Sequence, residues 1–597
     1  MNTSTIDRPW DEEVDVIVFG AGCGGMSTAL ACSILGLSVI LCEKTNQVGG
    51  TTSTSAGTIW IPLTPGATTG ADPDSRENVD RYLSGLIPAA AQSAPLQAFL
   101  DAGPKMLAFF AQHTQALHFN RVARHPDYRF DIPGAAVAGR ALIPPAFDGR
   151  LLGEDFDRVR APIREFMPLG GMMVGKDDIA PLLHPFASIA AFKHACGLLA
   201  RYASDRLKYR RGTRLVMGNA LVARLLHSLK QRDVPIRYET SLDALVMDRG
   251  RVIGATVKHL DGRRHIRARK GVMLATGGFG GSAELRAAYF PQPLADATAG
   301  FEGNTADTMR IAMHAGAALD THHVTPTFWV PVSLMKRSDG TTARFPHIIL
   351  DRAKPGLIAI DSSGSRFTNE ADSYHDFVLA MYANHKRVKT IPAYLVCDAR
   401  FIRDYGLGLV YPGARNLGGY VAAGYLKRGK TLEDLAGAIG VDGAALASTV
   451  SRYNTHAIRG EDPDFGKGST VLNRHNGDPA VQPNPCVRAI GKGPYYAVTV
   501  YPSDLSTSVG LSADEHARVL NDHGAPIPGL YACGADMSSV MKGAYPGPGT
   551  TLGPAMTFAY VAAHHLAAAA EHDRSAAITP SARAPEQSRM FAAAAIR

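Results

Sequence analysis

The first sustained apolar run of the chain, Val14-Asp15-Val16-Ile17-Val18-Phe19, is rich in β-branched residues and ends on glycine, and Met26-Ser27-Thr28-Ala29-Leu30-Ala31 follows in helical style. A run apolar at nearly every position predicts a strand buried on both faces, as in a parallel sheet. Leu37-Ser38-Val39-Ile40-Leu41-Cys42 predicts a second strand. The same run-to-glycine pattern returns in Gly271-Val272-Met273-Leu274-Ala275-Thr276-Gly277-Gly278-Phe279, and again in Ile527-Pro528-Gly529-Leu530-Tyr531-Ala532-Cys533-Gly534-Ala535-Asp536. Ahead of the first of these, Leu242 to Val246 and Val252 to Val257, joined across Asp248-Arg249-Gly250, predict a hairpin. Beyond Asp320 the pattern gives way to irregular segments carrying Phe328, Trp329 and Phe345, and it recovers only near Thr507, before an Ala-rich helix from about Thr551. Strand–helix alternation at both ends, with a different texture between, predicts an α/β protein. Its larger domain comprises residues 1–324 and 506–574, and an α+β domain, 325–505, is inserted into it. Residues 575–597 predict a mobile tail.

Gly20, Gly22 and Gly25 stand as G-x-G-x-x-G between the first strand and the first helix. The first glycine makes the turn, the second admits backbone N–H groups to a pyrophosphate, and the third lets helix and strand pack closely, with the phosphates at the positive helix end. Glu43 ends the second strand, where a carboxylate accepts from ribose hydroxyls. Composition changes this picture little. At 597 residues the chain exceeds one compact core, and 46% hydrophobic with 19% charged residues is the make-up of a soluble enzyme. No stretch of about 18 apolar residues appears and Met1 to Trp10 lacks a signal-peptide core, so a cytoplasmic protein is expected. Seven cysteines without a C-x-x-C pair supply no disulfide or zinc framework; all seven are expected to be packing residues, and no metal site is expected. The net charge of +8 is scattered and lacks an aromatic recognition module, which argues against a nucleic-acid partner. One basic run, Arg201, Arg206, Lys208, Arg210, Arg211 and Arg214, follows the apolar segments Ile179–Leu183 and Ile189–Phe192. It reads as a solvated helix face or, alternatively, as a peripheral contact with an anionic membrane.

FAD is favoured over NAD by Val48-Gly49-Gly50-Thr51-Thr52-Ser53, which supplies small residues and hydroxyls along the path of an extended dinucleotide. The candidate cradle is Gly20, Gly22, Cys23, Gly24, Gly25, Glu43, Lys44, Gly50, Thr51, Thr52 and Ser53, then Ala275, Thr276, Gly277 and Gly278, then Gly534, Ala535 and Asp536, with Thr551 and Leu552 at the last helix. No histidine lies in the Gly49–Thr52 segment, so attachment is expected to be non-covalent. Three further elements complete the set: Arg366-Phe367-Thr368-Asn369-Glu370 with Tyr374 four residues on, His125-Pro126-Asp127-Tyr128 ahead of Gly139-Arg140, and Tyr545-Pro546-Gly547-Pro548-Gly549. Together they resemble, over nearly the whole chain, the FAD-dependent 3-ketosteroid Δ1-dehydrogenases of the fumarate reductase/succinate dehydrogenase-type superfamily.

The resemblance implies a Rossmann-like FAD-binding domain with an inserted substrate domain, a 3-ketosteroid substrate, and an external electron acceptor, quinone-like or other. Asp536 would lie near the FAD ribitol. Tyr545 O–H and Gly549 N–H would bind the C3 carbonyl oxygen as an oxyanion hole, Tyr374 would take the C2 proton, Tyr128 would hydrogen-bond Tyr374, and hydride would pass from C1 to flavin N5. A phenol with a pKa near 10 is a poor base unless its surroundings lower that value. The terminal helix would direct its positive N-terminus at the flavin pyrimidine edge. Phe328 and Trp329 are expected in the steroid pocket or the core, and His322 and His323 at the surface or a domain junction. The chain departs from the family in its 165–211 segment and in Ala371-Asp372-Ser373, which lacks the proline expected before the tyrosine. Other readings are a desaturase acting at C4–C5, a fumarate-reductase-like enzyme with Arg352, Arg366, Arg400 and Arg415 as a dicarboxylate clamp, and a flavin-fold binding component without turnover.

Overall fold

The computed structural model describes residues 9–68, 72–348 and 351–578. Glu12–Phe19 is the first strand, and Val16 to Phe19 are all buried because parallel strands flank them on both sides: Val39–Cys42 on one, Gly271 to Leu274 on the other. Ile236–Arg237 and Pro526–Ala532 extend the parallel array outward. Register fixes the function of this sheet. Phe19 pairs with both Cys42 and Leu274, and Leu274 pairs with Ala532, so four adjacent strands end at one level. Gly20, Glu43, Ala275 and Cys533, each the next residue, emerge together at the carboxyl edge where ligands of open α/β sheets bind. The hairpin is Ser241–Asp248 with Arg251–His259, and it continues antiparallel into Gly262–Leu274. Helix Cys23–Ile34, buried over nearly its whole length, packs against the terminal helix Leu552–Ile578.

A second, antiparallel sheet takes strands from the middle of the chain, in the order Thr342–Pro346, Thr327–Lys336, Tyr495–Thr507, Ala393–Asp398, Leu357–Ile360, with Leu426–Gly429 also on the long strand. Tyr495–Thr507 is long enough to pair with Ala393–Asp398 along its first half and with Thr327–Val332 along its second. Helix Tyr374–His385 packs on Thr327–Lys336, and His375 accepts from Trp329 N–H.

The 165–211 stretch forms helices Lys176–Leu183 and Ile189–Arg206, fastened by two buried carboxylates. Asp178 accepts from Gly175 N–H, His194 and Arg214, and Asp205 accepts from Thr213 N–H and its hydroxyl. Its outer side keeps Phe186, Ile189 and Leu207 at 86%, 78% and 90% exposure. Cys196 on the second helix is exposed, which corrects the expectation that all seven cysteines pack in the interior; the other six do. The thiol lies on the outer face of its helix, one and two turns from exposed Phe192 and Ile189. The terminal helix reaches Ile578; the tail expected beyond it lies outside the described residues. Among the described residues no helix is long and apolar enough to cross a membrane.

Candidate active site

The glycine motif divides its labour as the fingerprint demands. A Cβ on Gly20, whose φ is +97°, would sit 2.3 Å from Ala275 O, and one on Gly25 would overlap Gly20 O at 1.8 Å. On Gly22 it would meet only Thr52 Oγ1, at 3.9 Å, so the middle glycine faces open space. Glu43 Oε2 accepts from Ala21 N–H at 2.8 Å, and Cys23 N–H donates to Thr52 Oγ1 at 3.1 Å. The buried Ser53 hydroxyl has no partner. A concavity walled by small residues, with an unsatisfied hydroxyl at its edge, fits a bound dinucleotide. Other candidates hold the cradle together. Lys44 donates to Thr305 and Asp307, and Thr51 Oγ1 accepts from Phe301 N–H and Asn304. Asp536 is wholly buried, and its carboxylate accepts from Thr276 N–H and hydroxyl at 2.6 and 2.8 Å and from Gly278 N–H at 2.7 Å. It clamps the Gly277–Gly278 turn to the Gly534–Ala535 turn. Gly24 lies in the first turn of helix Cys23–Ile34 and Gly50 begins the short helix Gly50–Thr54, while Thr551 stands directly before the terminal helix that begins at Leu552.

The three tyrosines meet. Tyr374 Oη donates to Tyr545 Oη at 2.7 Å and Tyr128 Oη donates to Tyr374 Oη at 3.3 Å, with ring centroids 5.3 to 5.6 Å apart. Three separate loops of the sequence, hundreds of residues apart, thus form one chain of hydroxyls. Gly549 explains the end of that chain. Its φ is +98° and a Cβ would lie 2.5 Å from the Ile59 backbone, so only glycine lets the loop approach strand Ile59–Trp60. Gly549 O accepts from Trp60 N–H and Gly553 N–H, whereas Gly549 N–H donates to no group among the described residues. Burial pushes the Tyr545 hydroxyl up to about 12 and, with help from Tyr128 and Tyr545, holds Tyr374 well above the ordinary phenol range. No cation stands close enough to reverse this, so the environment does not lower the Tyr374 pKa.

Residues the sequence reading passed over build the cluster's support. Buried Asp127 accepts from Trp60 Nε1, Ala136 N–H and Arg140, and Arg140 also pairs with Asp74 at 2.9 Å. Tyr128 N–H and Tyr82 O–H both donate to Pro546 O, locking the Tyr128 loop onto the Tyr545–Gly549 loop. The signal was an acid directly before Tyr128 and an arginine directly after Gly139. His375 Nδ1 accepts from Trp329 N–H at 3.1 Å, and burial pushes its pKa down to about 3, so it is a neutral ring carrying its proton on Nε2 beside Tyr545. Phe328 packs edge-on against the Tyr545 ring, while Trp329 packs on Phe290 and Tyr382. Ser373 takes the place of the expected proline: its φ of −55° is a proline value, and its hydroxyl adds an N-cap by accepting from Asp376 N–H. His323 is buried between Ser508 and Ser538, and His322 is exposed.

The four arginines of the clamp reading do not converge. Arg366 pairs with Glu370 and Asp462 at 2.8 and 2.6 Å. Arg352 donates to the carbonyls of His347, Ile348, Glu370 and Asp372. Arg400 pairs with Asp404 at 3.4 Å, more than half exposed, and Arg415 is exposed.

Comparison with known proteins places the chain in a family. The FAD binding domain family matches residues 15–552. The 4-oxocyclohex-2-ene-1-carboxylate 5-dehydrogenase of Sinomonas cyclohexanicum is 38% identical over 570 residues, covering 94% of this chain and 95% of its own. The 3-oxosteroid 1-dehydrogenase of Mycobacterium tuberculosis is 34% identical over 573 residues, 93% of this chain and 98% of its own. The crystal structure of 3-ketosteroid delta1-dehydrogenase from Sterolibacterium denitrificans, in complex with 1,4-androstadiene-3,17-dione, superposes with a TM-score of 0.86 at 36% identity, covering 94% of this chain and 100% of that one. Since the match runs through both sheets and the fold closes a dinucleotide cradle on a tyrosine cluster, the chain belongs to the FAD-dependent 3-ketosteroid Δ1-dehydrogenase family and is an FAD-dependent oxidoreductase.

Proposed function

We propose that the protein dehydrogenates 3-ketosteroids at C1–C2, turning a 3-keto-4-ene into a 3-keto-1,4-diene. The observation that carries this reading is the chain Tyr128–Tyr374–Tyr545, with the N–H of Gly549, four residues beyond Tyr545, unused among the described residues. Tyr545 O–H and Gly549 N–H are two neutral donors for a ketone oxygen that gains charge as the α-proton leaves; one such donor contributes roughly 3 kcal/mol to lowering the barrier. Tyr374 Oη, already hydrogen-bonded to Tyr545, receives the C2 proton, and Tyr128 supports it from the far side. When bound, FAD supplies the hydride acceptor for C1, and an external acceptor then restores its oxidised form. Ser53, Gly22 and Glu43 would hold that cofactor. The clean separation of the two sheets supports an FAD domain and a substrate domain divided near 325 and 505, where the strands Thr327–Lys336 and Tyr495–Thr507 begin and end.

The spent arginines weigh against a dicarboxylate clamp. The test is anaerobic addition of androst-4-ene-3,17-dione to the yellow protein. Bleaching with a 1,4-diene product supports the reading. Bleaching only by a 5α-saturated 3-ketosteroid with a 4-ene product moves it to C4–C5 desaturation, and bleaching only by 4-oxocyclohex-2-ene-1-carboxylate moves it to the monocyclic substrate.

The helical hairpin 176–206 is further proposed to rest on an anionic membrane surface, where a water-poor substrate partitions. Phe186, Ile189 and Leu207 stand exposed beside exposed Lys193, Arg206 and Lys208. Co-sedimentation with vesicles containing anionic lipid, lost in Phe186→Ser/Leu207→Ser, is the expected result; equal sedimentation of both proteins sinks it.

A further inference from the structure

If Tyr374 is the base, its own proton needs somewhere to go. Burial first, then Tyr128 and Tyr545, hold this hydroxyl well above the usual phenol range, so at neutral pH it is a phenol. A phenol accepts the C2 proton only as its own departs. Tyr545 is no outlet, since its proton is directed to the ketone; burial raises the Tyr128 hydroxyl as well, so Tyr128 passes a proton on without holding the negative charge. On the other side, Tyr128 and Tyr374 form part of the wall of a small cleft, with Arg352, Asp372, Ser373 and Asn476 around it. Asp372 is half-buried there. Its Oδ1 accepts from Asn473 Nδ2 at 3.0 Å, and its Oδ2 has no partner among the described residues. Arg352, spent on backbone carbonyls, contributes positive charge to the cleft without closing an ion pair with that carboxylate.

We propose that Asp372 is the outer acceptor of a proton path leading from the substrate through Tyr374 and Tyr128 into this cleft, an inference that rests on the dehydrogenase reading above. As the C2–H bond breaks, its proton goes to Tyr374 Oη, the Tyr374 proton to Tyr128, and the Tyr128 proton, across solvent in the cleft, to the Asp372 carboxylate. The C2 electron pair becomes the C1=C2 bond while hydride leaves C1 for the bound FAD. Asp372 then loses its proton to bulk water. Hydroxyl protons rotate, so the 3.3 Å Tyr128–Tyr374 contact serves either direction.

The surroundings suit the task. Burial pushes the Asp372 carboxyl up to about 6, with Asp376 and Glu370 raising it and Asn473 and Arg352 opposing them. Of the neighbouring carboxyls Asp376 is also raised by burial, so the Asp372 variant is what assigns the acid limb. Glu370 is closed in pairs with Arg366 and Lys467, and Asp376 is bonded to Ser373 with Arg129 at 3.9 Å. His125 and His475 are pushed down by burial to about 3 and about 4, hence neutral. An acceptor of this kind takes a proton above pH 6 and releases it readily at pH 7.

The test separates proton transfer from hydride transfer. In holoenzyme already reduced with dithionite, uptake of deuterium from D2O at C2 of androst-4-ene-3,17-dione reads the proton path alone. Asp372→Asn should slow this exchange and turnover about tenfold or more and remove the fall in turnover below pH 6. FAD content, steroid affinity and melting temperature should stay unchanged, because asparagine keeps the bond to Asn473. Acetate or formate should restore part of the lost rate to Asp372→Ala. Wild-type exchange and an unaltered acid limb in Asp372→Asn would overturn the path while leaving the dehydrogenase reading intact. A wild-type protein that neither bleaches with ketosteroid nor exchanges C2 would overturn both.

Discussion

The segment from Arg366 to Tyr374 carries two buried polar clusters, one at each end, built on opposite terms. At the first end Arg366, Glu370, Asp462 and Lys467 bury their side chains to 4% exposure or less and spend every charge on an opposite one. At the other end three tyrosine hydroxyls, two of them on buried side chains and that of Tyr128 half-buried, spend themselves on one another in a line. The first cluster closes; the second has ends, at Gly549 N–H and at Asp372 Oδ2, where a further group can bind. An ionised network with nothing left over holds the loop, whereas a neutral network with spare capacity can exchange protons with a guest.

Mutation should split the two. Tyr374→Phe is expected to have the largest effect, a loss of turnover of about 10²–10⁴-fold, with the melting temperature within about a degree of wild type. A large fall in melting temperature would place Tyr374 in the framework. Glu370→Gln should do the reverse. Removing one charge strands Arg366 and Lys467 in the interior, at a cost of about 3–5 kcal/mol of stability by denaturant unfolding. Burial works to raise the Glu370 carboxyl, but Arg366 and Lys467 hold it at about 2. A folded-state pKa below the unfolded one contributes stability that is complete above about pH 4.5 and lost as pH falls toward 2. The gap between wild type and Glu370→Gln should therefore narrow over that interval, and a gap constant with pH would contradict the pairing. Tyr545→Phe comes next, with about 10²–10³-fold lower turnover, since it removes one of two donors to the developing oxyanion while Gly549 N–H remains.

Much of this comparison was legible before any coordinates, and the rest was hidden for a physical reason. The first strand–turn–helix, the hairpin and the three tyrosine elements are local patterns: a run of apolar residues ending on glycine, or a short motif, states its own geometry. The pairings that make a framework are not local. Arg366 meets Asp462 across 96 residues, and Arg140 meets Asp74 across 66. From sequence, Arg366 and Arg352 therefore looked as available for a dicarboxylate as any other arginine. The same distance hid Asp372, whose meaning depends on a cleft shared with Tyr128, and it left Cys196 indistinguishable from six buried thiols. The raised Tyr374 hydroxyl was hidden for another reason: the rings packed on it, Tyr128 and Tyr545, come from separate segments that meet only in the fold.

The smallest expected effect falls at the junction of the two clusters and tests whether they are separate devices. Ser373 lies between Asp372 and Tyr374, and its hydroxyl accepts from Asp376 N–H at 3.1 Å and donates to Asp376 Oδ2 at 2.6 Å, capping the helix that starts at Tyr374. Ser373→Ala should cost about 1 kcal/mol of stability, the ordinary price of an N-cap. If the cap merely closes a helix end, turnover should stay within a factor of about two, because Tyr374 is also held by Tyr128 and Tyr545. If instead the cap aims Tyr374, turnover should fall by far more than the stability does, with steroid affinity unchanged. Ser373→Pro discriminates further, since proline supplies the observed φ of −55° without the hydroxyl. Recovery of turnover in the proline variant would show that backbone direction, set at one residue, is what joins the closed cluster to the open one.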